Sequence, residues 1–376
     1  MRVQTFSRTQ ILQEFQIKCQ SLAANKNRGF KEEFEELNEV GKYLPTRAGD
    51  SETNREKNRY PSILPYDHCR VRLSVQNSHL QSDYVNANFV PGGGSERDFI
   101  CTQGPLQSTM ADFWRMVWEQ NVRIIVMVTA LKYKDIVLCD RYWPLEQGTV
   151  YHGLIQVTTV ARKQGPDYFI TTINLRQRDC PTQRIITHYH YPSWQDMGIP
   201  NTSSLCAFTE HVRQHLQIIP RLGPTVVHCS AGIGRSGVFV TLLWLMQLCA
   251  RGIQPDVRAA VEDLRLHRMW MVQTLEQYIF IHRCLLKWLG GGTGGTSGRS
   301  TQMQGASSNI NHRIKDQPHS VSRREDRSGR RTQHRHREKP PPDPPQNTIQ
   351  KILYPVNLLR RLLPSSSLFN TGSHPS

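Results

Sequence analysis

No two of the nine cysteines stand in C-x-x-C spacing, and their number is odd. That pattern argues against a disulfide framework or a sulfur-ligated zinc site, and for a reducing compartment. Long hydrophobic runs are scarce as well. The strongest, residues 238–249, contains Thr241 and Gln247 and is too short to span a bilayer, so it reads as a buried helix. No apolar leader core is visible at the N-terminus, and no internal repeat occurs along the chain. The expectation is a soluble, cytoplasmic chain without a transmembrane segment. Acidic residues are in deficit: 31 Asp+Glu face 47 Lys+Arg, a formal charge of +16. Such an excess attracts anionic partners.

The 376 residues divide by composition rather than into equal halves. Residues 1–289 carry aromatics and apolar runs throughout. From Gly290 a glycine-rich linker leads into a tail of Arg, Ser, His and Pro that buries too little apolar area to order itself. In the tail, Arg323-Arg324, Arg330-Arg331 and Arg335-His336-Arg337 suit nucleic acid, anionic lipid or an import receptor, or form a solvated charge run. Pro340-Pro341-Pro342-Asp343-Pro344-Pro345 suits an SH3 or WW domain as polyproline II. Residues 353–363, with Arg360-Arg361, suit an amphipathic membrane contact.

Periodicity predicts a helix over residues 11–40, then a polar, charged loop over 46–57. Strands are expected at 70–73, 84–90 and 99–102, and an amphipathic helix at 110–120. Residues 124–129 form a continuous apolar run, as in a strand buried on both faces. Residues 150–160, 168–175 and 184–190 read as an antiparallel set. Helices follow at 205–218, 236–251, 255–267 and 274–288. This mixture predicts an α/β domain with a twisted mixed β-sheet flanked by helices.

The most informative stretch is His228-Cys229-Ser230-Ala231-Gly232-Ile233-Gly234-Arg235-Ser236-Gly237. It joins the short strand Thr225-Val226-Val227 to an apolar helix. A strand that turns through small residues into a helix N-terminus directs consecutive backbone N–H groups inward and makes an anion site. A cysteine at its mouth has a lowered thiol pKa. An arginine six residues later can fold back and grip two oxygens of a phosphate or sulfate. Nucleophile, cradle and clamp in one loop suit covalent phosphoryl transfer to sulfur. A buried structural cysteine beside a glycine turn does not require this composition on both sides. The loop also lacks the Gly-Lys-Ser/Thr ending of a nucleotide-binding P-loop.

Further blocks accompany this loop in order: Lys57-Asn58-Arg59-Tyr60, Asp83-Tyr84-Val85-Asn86-Ala87-Asn88, Thr102-Gln103-Gly104-Pro105-Leu106, Arg141-Tyr142-Trp143-Pro144 and Val272-Gln273-Thr274 through Gln277-Tyr278. Together they resemble the phosphotyrosine-specific, receptor-like protein tyrosine phosphatase domain over residues 30–288. A lone C-x5-R would not, since other phosphatase classes share it. The resemblance implies a juxtamembrane-like helical segment at 1–29, the catalytic domain at 30–289 and the linker and tail at 290–376. The chain would then be a cytoplasmic portion of a receptor, or a variant lacking an ectodomain.

The resemblance also implies roles. Cys229 attacks phosphorus, while Arg235 and the N–H groups of Ser230, Ala231, Gly232, Ile233, Gly234 and Arg235 hold the oxygens. Asp196, in Trp194-Gln195-Asp196-Met197-Gly198-Ile199-Pro200, matches the general acid of a mobile loop. Ser236 helps the thiolate leave, and Gln273, with Gln277 nearby, positions the hydrolytic water. Tyr60 stacks on the substrate ring and deepens the slot, which selects phosphotyrosine proteins over phosphoserine. His228 orients the loop or is simply a core histidine. No metal or cofactor is required.

Five positions depart from the family pattern: Gln195 for proline, Leu138 for lysine, Tyr133 for the glutamate that pairs with the arginine, Ser62 for Asp or Asn, and Met197. They predict slower closure and a less well oriented Arg235, unless Asp135 substitutes for the missing carboxylate. Two other readings remain: a phosphotyrosine-binding pseudophosphatase, and an enzyme acting on phosphoinositides or phosphoserine.

Overall fold

The computed structural model describes residues 5–75 and 82–291. The basic clusters, the proline run at 340–345 and residues 353–363 lie outside the described residues.

Helix α1 (Arg8–Leu37) opens on a capping box. The Gln10 backbone N–H donates to Ser7 Oγ, and the Ser7 N–H donates to Gln10 Oε1. The expected continuous helix is interrupted. Asn25, Lys26 and Asn27 have φ of 52, 60 and 64°. Asparagine tolerates that left-handed region, and the Asn-Lys-Asn run breaks the helix into two halves. Ile11, Phe15 and Cys19 recur every four residues and are buried with Phe30 and Leu37.

The segment at 46–57 is not an open loop. It folds into α2 (Arg47–Asp50) and a 3-10 turn (Glu52–Lys57), because Asp67 accepts the Arg47 and Ala48 N–H groups and Asn54 and Asn58 donate into local carbonyls. It thereby delivers Asn58, Arg59 and Tyr60 to a fixed place.

Strands β1 (Arg70–Arg72), β2 (Tyr84–Val90) and β3 (Phe99–Thr102) follow, then α3 (Met110–Glu119) and β4 (Ile124–Met127). A small hairpin, β5 (Lys132–Tyr133) and β6 (Ile136–Val137), was not legible in the pattern. The expected strand at 150–160 is two strands, β7 (Gly148–His152) and β8 (Ile155–Gln164). Gly153, at φ 59°, turns the chain between them. Then come β9 (Phe169–Gln177), β10 (Gln183–His190), α4 (Thr202–Ile218), β11 (Thr225–His228), α5 (Gly234–Ala250), α6 (Val257–His267) and α7 (Leu275–Gly290).

Among the described residues nine strands form one sheet in the order β1-β2-β3-β11-β4-β10-β9-β8-β7. β11 is parallel to both neighbours, β3 and β4, and β10 is parallel to β4; the flanking pairs are antiparallel. One core layer joins α1, α4, α5, α6 and α7 to one sheet face, and a second joins α3 to the other. β11 is therefore buried along its length, as its Thr-Val-Val composition requires. Its carboxyl end is where a central parallel strand turns into a helix. Among the described residues no helix is long and apolar enough to cross a membrane.

Candidate active site

Cys229 follows β11 directly, and α5 begins five residues later. Four consecutive carbonyls of the intervening loop are held from outside. His228 Nδ1 lies 3.1 Å from Cys229 O, and the Gly104 N–H donates to Ser230 O at 2.9 Å. Arg268 donates through Nη2 to Ala231 O at 3.0 Å and through Nε to Gly232 O at 2.9 Å. In a trans peptide the N–H points opposite to its carbonyl. Fixing these four carbonyls outward therefore turns the N–H groups of residues 230–233 inward. The Gly232 N–H does reach Cys229 Sγ, at 3.2 Å. Gly232 has φ 74°, and a Cβ there would collide with the Thr102 carbonyl, so the turn requires glycine.

Burial opposes ionisation of Cys229. The Arg235 charge, the Ser236 hydroxyl and the Ser236 backbone N–H outweigh it, and the thiol is held below its ordinary 9.0. Ser236 Oγ is buried and otherwise unpartnered; it faces the sulfur without hydrogen-bond alignment.

The Arg235 guanidinium is 1% exposed. Nη1 donates to Thr129 Oγ1 and to Trp194 O, both at 3.0 Å. Nη2 forms an ion pair with Asp196 Oδ1 at 3.0 Å, and neither it nor Nε has an aligned hydrogen bond. Nε thus faces the cradle without a partner, and Nη2 is held only by the Asp196 carboxylate. The Trp194–Pro200 segment folds down on the loop and is tied internally by the Trp194 Nε1 hydrogen bond to Gly198 O at 3.0 Å. The carboxylate beside Arg235 is Asp196. Asp135, on the small hairpin, is exposed, and Tyr133 is 38% exposed.

Tyr60 OH donates to Ser230 Oγ at 2.7 Å, and Ser230 Oγ in turn donates to Leu138 O at 2.7 Å. Burial raises the Tyr60 phenol, which keeps its proton. Gln273 and Gln277 border the loop at Gly234, since a Cβ there would lie 2.9 Å from Gln273 Oε1 and 3.1 Å from Gln277 Oε1. Gln277 Oε1 accepts the Gln273 N–H at 3.0 Å, and its Nε2 is buried without a partner. The fold therefore gathers Tyr60, Trp194, Asp196, His228, Cys229, Ser230, Ala231, Gly232, Ile233, Gly234, Arg235, Ser236, Gln273 and Gln277 around one cradle. Among the described residues no group of three or more His, Cys, Asp or Glu converges as metal ligands.

Several supports were missed in the sequence. Arg268 is fully buried and also donates to Asn86 Oδ1 and Asn88 Oδ1, both at 2.9 Å. A single arginine after a helix carries no pattern that announces this. Arg59 lies within the Lys57-Asn58-Arg59-Tyr60 motif, which carries no sign of its task. It donates to Gly104 O, Pro105 O and Asp140, and so fixes the Tyr60 segment to the loop that holds Ser230. Thr129 carries no signal in the sequence beyond ending an apolar strand.

Residues 54–287 match the family described as protein-tyrosine phosphatase. The chain belongs to that family. It is 42% identical over 276 residues to receptor-type tyrosine-protein phosphatase V of Rattus norvegicus, covering 73% of this chain and 16% of that protein. Receptor-type tyrosine-protein phosphatase eta of Mus musculus is 41% identical over 276 residues, covering 73% and 22%. Receptor-type tyrosine-protein phosphatase H of Homo sapiens is 38% identical over 267 residues, covering 70% and 24%. The chain thus spans less than a quarter of the length of these relatives.

Proposed function

We propose that this chain hydrolyses phosphotyrosine in proteins through a phosphocysteine intermediate. The observation that carries the reading is the paired arrangement at the loop: a sulfur held toward its thiolate, and facing donors of Arg235 without aligned partners. Inward N–H groups and a guanidinium stabilise charge that develops on a transferring phosphoryl group.

In the first step Cys229 Sγ attacks phosphorus as the ester P–O bond breaks. Asp196 donates a proton to the departing phenolate oxygen, and tyrosine leaves. In the second step a water positioned by Gln273 and Gln277 attacks phosphorus and gives a proton to Asp196, as the S–P bond breaks and its electron pair returns to Cys229. Phosphate leaves, and Ser236 supports the returning thiolate. Tyr60 walls the slot, so that an aromatic ester reaches the sulfur and a shorter phosphoserine stem does not. The receptor-type relatives favour an intracellular setting for such a domain.

A purely binding role is less well supported, because nucleophile, clamp and acid are all present and adjacent. The test is steady-state hydrolysis of matched phosphotyrosine and phosphoserine peptides by the full chain, with Cys229→Ser and Asp196→Ala alongside. Release of phosphate from the phosphotyrosine peptide alone, abolished by Cys229→Ser, is expected. Binding without Cys229-dependent release overturns the reading.

A further inference from the structure

Three fully buried side chains from separate elements line up behind the nucleophile. His188 on β10 places Nε2 2.7 Å from Tyr142 OH. The same hydroxyl lies 2.7 Å from His228 Nε2, and His228 Nδ1 lies 3.1 Å from Cys229 O. All three are 0% exposed.

The direction of this row follows from valence. A carbonyl oxygen only accepts, so His228 Nδ1 must carry a proton. Burial pushes His228 down to about 3, so the ring is neutral and its Nε2 is bare. Tyr142 must then donate to His228 Nε2. Its oxygen is left to accept, and His188 Nε2 must supply that proton. Burial, with His190 and His228 nearby, holds His188 neutral as well, leaving its Nδ1 bare; that atom has no partner. The Trp143 ring, 4.3 Å from the His188 ring, and the Trp114 Nε1 bond to Tyr142 O at 2.8 Å hold the row in place.

We propose that His188 is a positioning residue for the reaction above: its Nε2–H sets a one-way hydrogen-bond chain through Tyr142 and His228 that pins the Cys229 carbonyl outward and so aims the Ser230 N–H into the anion cradle. Donors in series polarise one another, with the positive end toward the nucleophile's peptide. The inference rests on the phosphatase reading only for its consequence; the chain of protons exists without substrate. Groups that also act on Cys229 are Arg235, Asp196, Tyr60, Cys101, Cys139 and Arg268, and around His188 stand His190 and Arg162. None of them is altered in the test.

The first measurement is 15N NMR of histidine-labelled full chain at neutral pH. His228 protonated on Nδ1 and His188 on Nε2 are expected, and the opposite tautomer at either ring overturns the proposal. This needs no variant, so it decides even if a variant fails to fold. The second is alkylation of Cys229 by iodoacetamide against pH in His188→Phe, Tyr142→Phe and the double variant. Each single change is expected to shift the midpoint upward and slow alkylation below it by about three- to tenfold, the span of one hydrogen bond. The double variant is expected to match the singles, since one chain breaks once, and His188→Gln to restore the rate. Unchanged profiles, or shifts that add, overturn it. Failure of the unaltered chain to hydrolyse phosphotyrosine would instead sink the functional reading and leave the tautomers standing.

Discussion

Asp196 Oδ1 stands 3.0 Å from Arg235 Nη2, so the proposed acid occupies the edge of the guanidinium that a phosphate would take. The Asp196 side chain is 46% exposed and the Arg235 side chain 1%, so the carboxylate is the partner that can withdraw. On the proposed mechanism an incoming phosphate would displace it, freeing the carboxyl to protonate the leaving oxygen. Asp196→Ala should then split the kinetics. Turnover falls by about 10²- to 10⁴-fold, as for loss of a general acid. Binding of inorganic phosphate or vanadate tightens, because the internal competitor is gone. Isothermal titration beside steady-state rates checks this; weaker anion binding in the variant would show that Asp196 does not compete for Arg235.

Closure of the same segment depends on few contacts. Trp194 O accepts from Arg235, and the Gly198 N–H reaches Gln195 O at 3.3 Å. Met197 sits at φ 58°. Gln195 adds no fixed φ to this loop, whereas proline would narrow the open ensemble. Gln195→Pro is expected to raise kcat several-fold with little change in stability. An unchanged kcat, read together with the viscosity dependence of the rate, would mean that closure does not limit turnover.

The sequence exposed what repeats or clusters locally. The loop from His228 to Gly237, the strands β2 and β3 and the helix after Cys229 all carry short-range signals: apolar runs, small residues and a helix opening. What stayed hidden depends on distance along the chain. Arg268 meets Asn86 and Asn88 some 180 residues away, and Arg59 meets Asp140. No period or spacing encodes such pairs. The break at Asn25-Lys26-Asn27 was hidden for a different reason. The apolar positions on either side keep helical spacing, so the burial pattern of Phe15, Cys19 and Phe30 does not betray the interruption. Asp135 was a plausible substitute carboxylate by proximity in sequence, but the β5–β6 hairpin leaves it exposed.

Arg268 gives a prediction that separates architecture from chemistry. Its guanidinium is 0% exposed and makes four hydrogen bonds that join β2 to the loop after Cys229. Burial lowers its pKa from 12.5, so the fork is held against a desolvation cost. Arg268→Met keeps the stem but strands two backbone carbonyls, one of them fully buried, and two buried amide oxygens. A loss of roughly 3 kcal/mol or more in unfolding free energy is expected. A drop in kcat of at least about tenfold should accompany it, through misdirected N–H groups. Arg268→Lys should recover little, because an ammonium cannot span four acceptors in a plane. Denaturant midpoints and kcat measured together decide; full activity in a destabilised Arg268→Met would show that the loop holds its shape without the arginine.

The thiols differ enough to be told apart by pH. Burial pushes Cys19 and Cys69 up to about 11, and Cys101 and Cys249 up to about 12. Cys229 is held below 9.0 despite burial, by Arg235 and Ser236. Cys180 is also lowered, through hydrogen bonding to Thr182, and lies in an accessible turn. Iodoacetamide at neutral pH should therefore mark Cys180 and Cys229 ahead of those four, with vanadate protecting Cys229 alone; peptide mass mapping reads both. The sign for stability follows from the same shift. A thiol whose folded pKa is depressed contributes stability above the unfolded value, and loses it as pH falls through the folded one. Unfolding free energy of the native chain, measured relative to Cys229→Ser, should thus decline as pH is lowered from above 9 through the alkylation midpoint. A difference that stays flat across that interval would mean that folding does not lower the Cys229 pKa, and one that grows as pH falls would mean that burial raises it; either outcome removes the proposed thiolate at neutral pH.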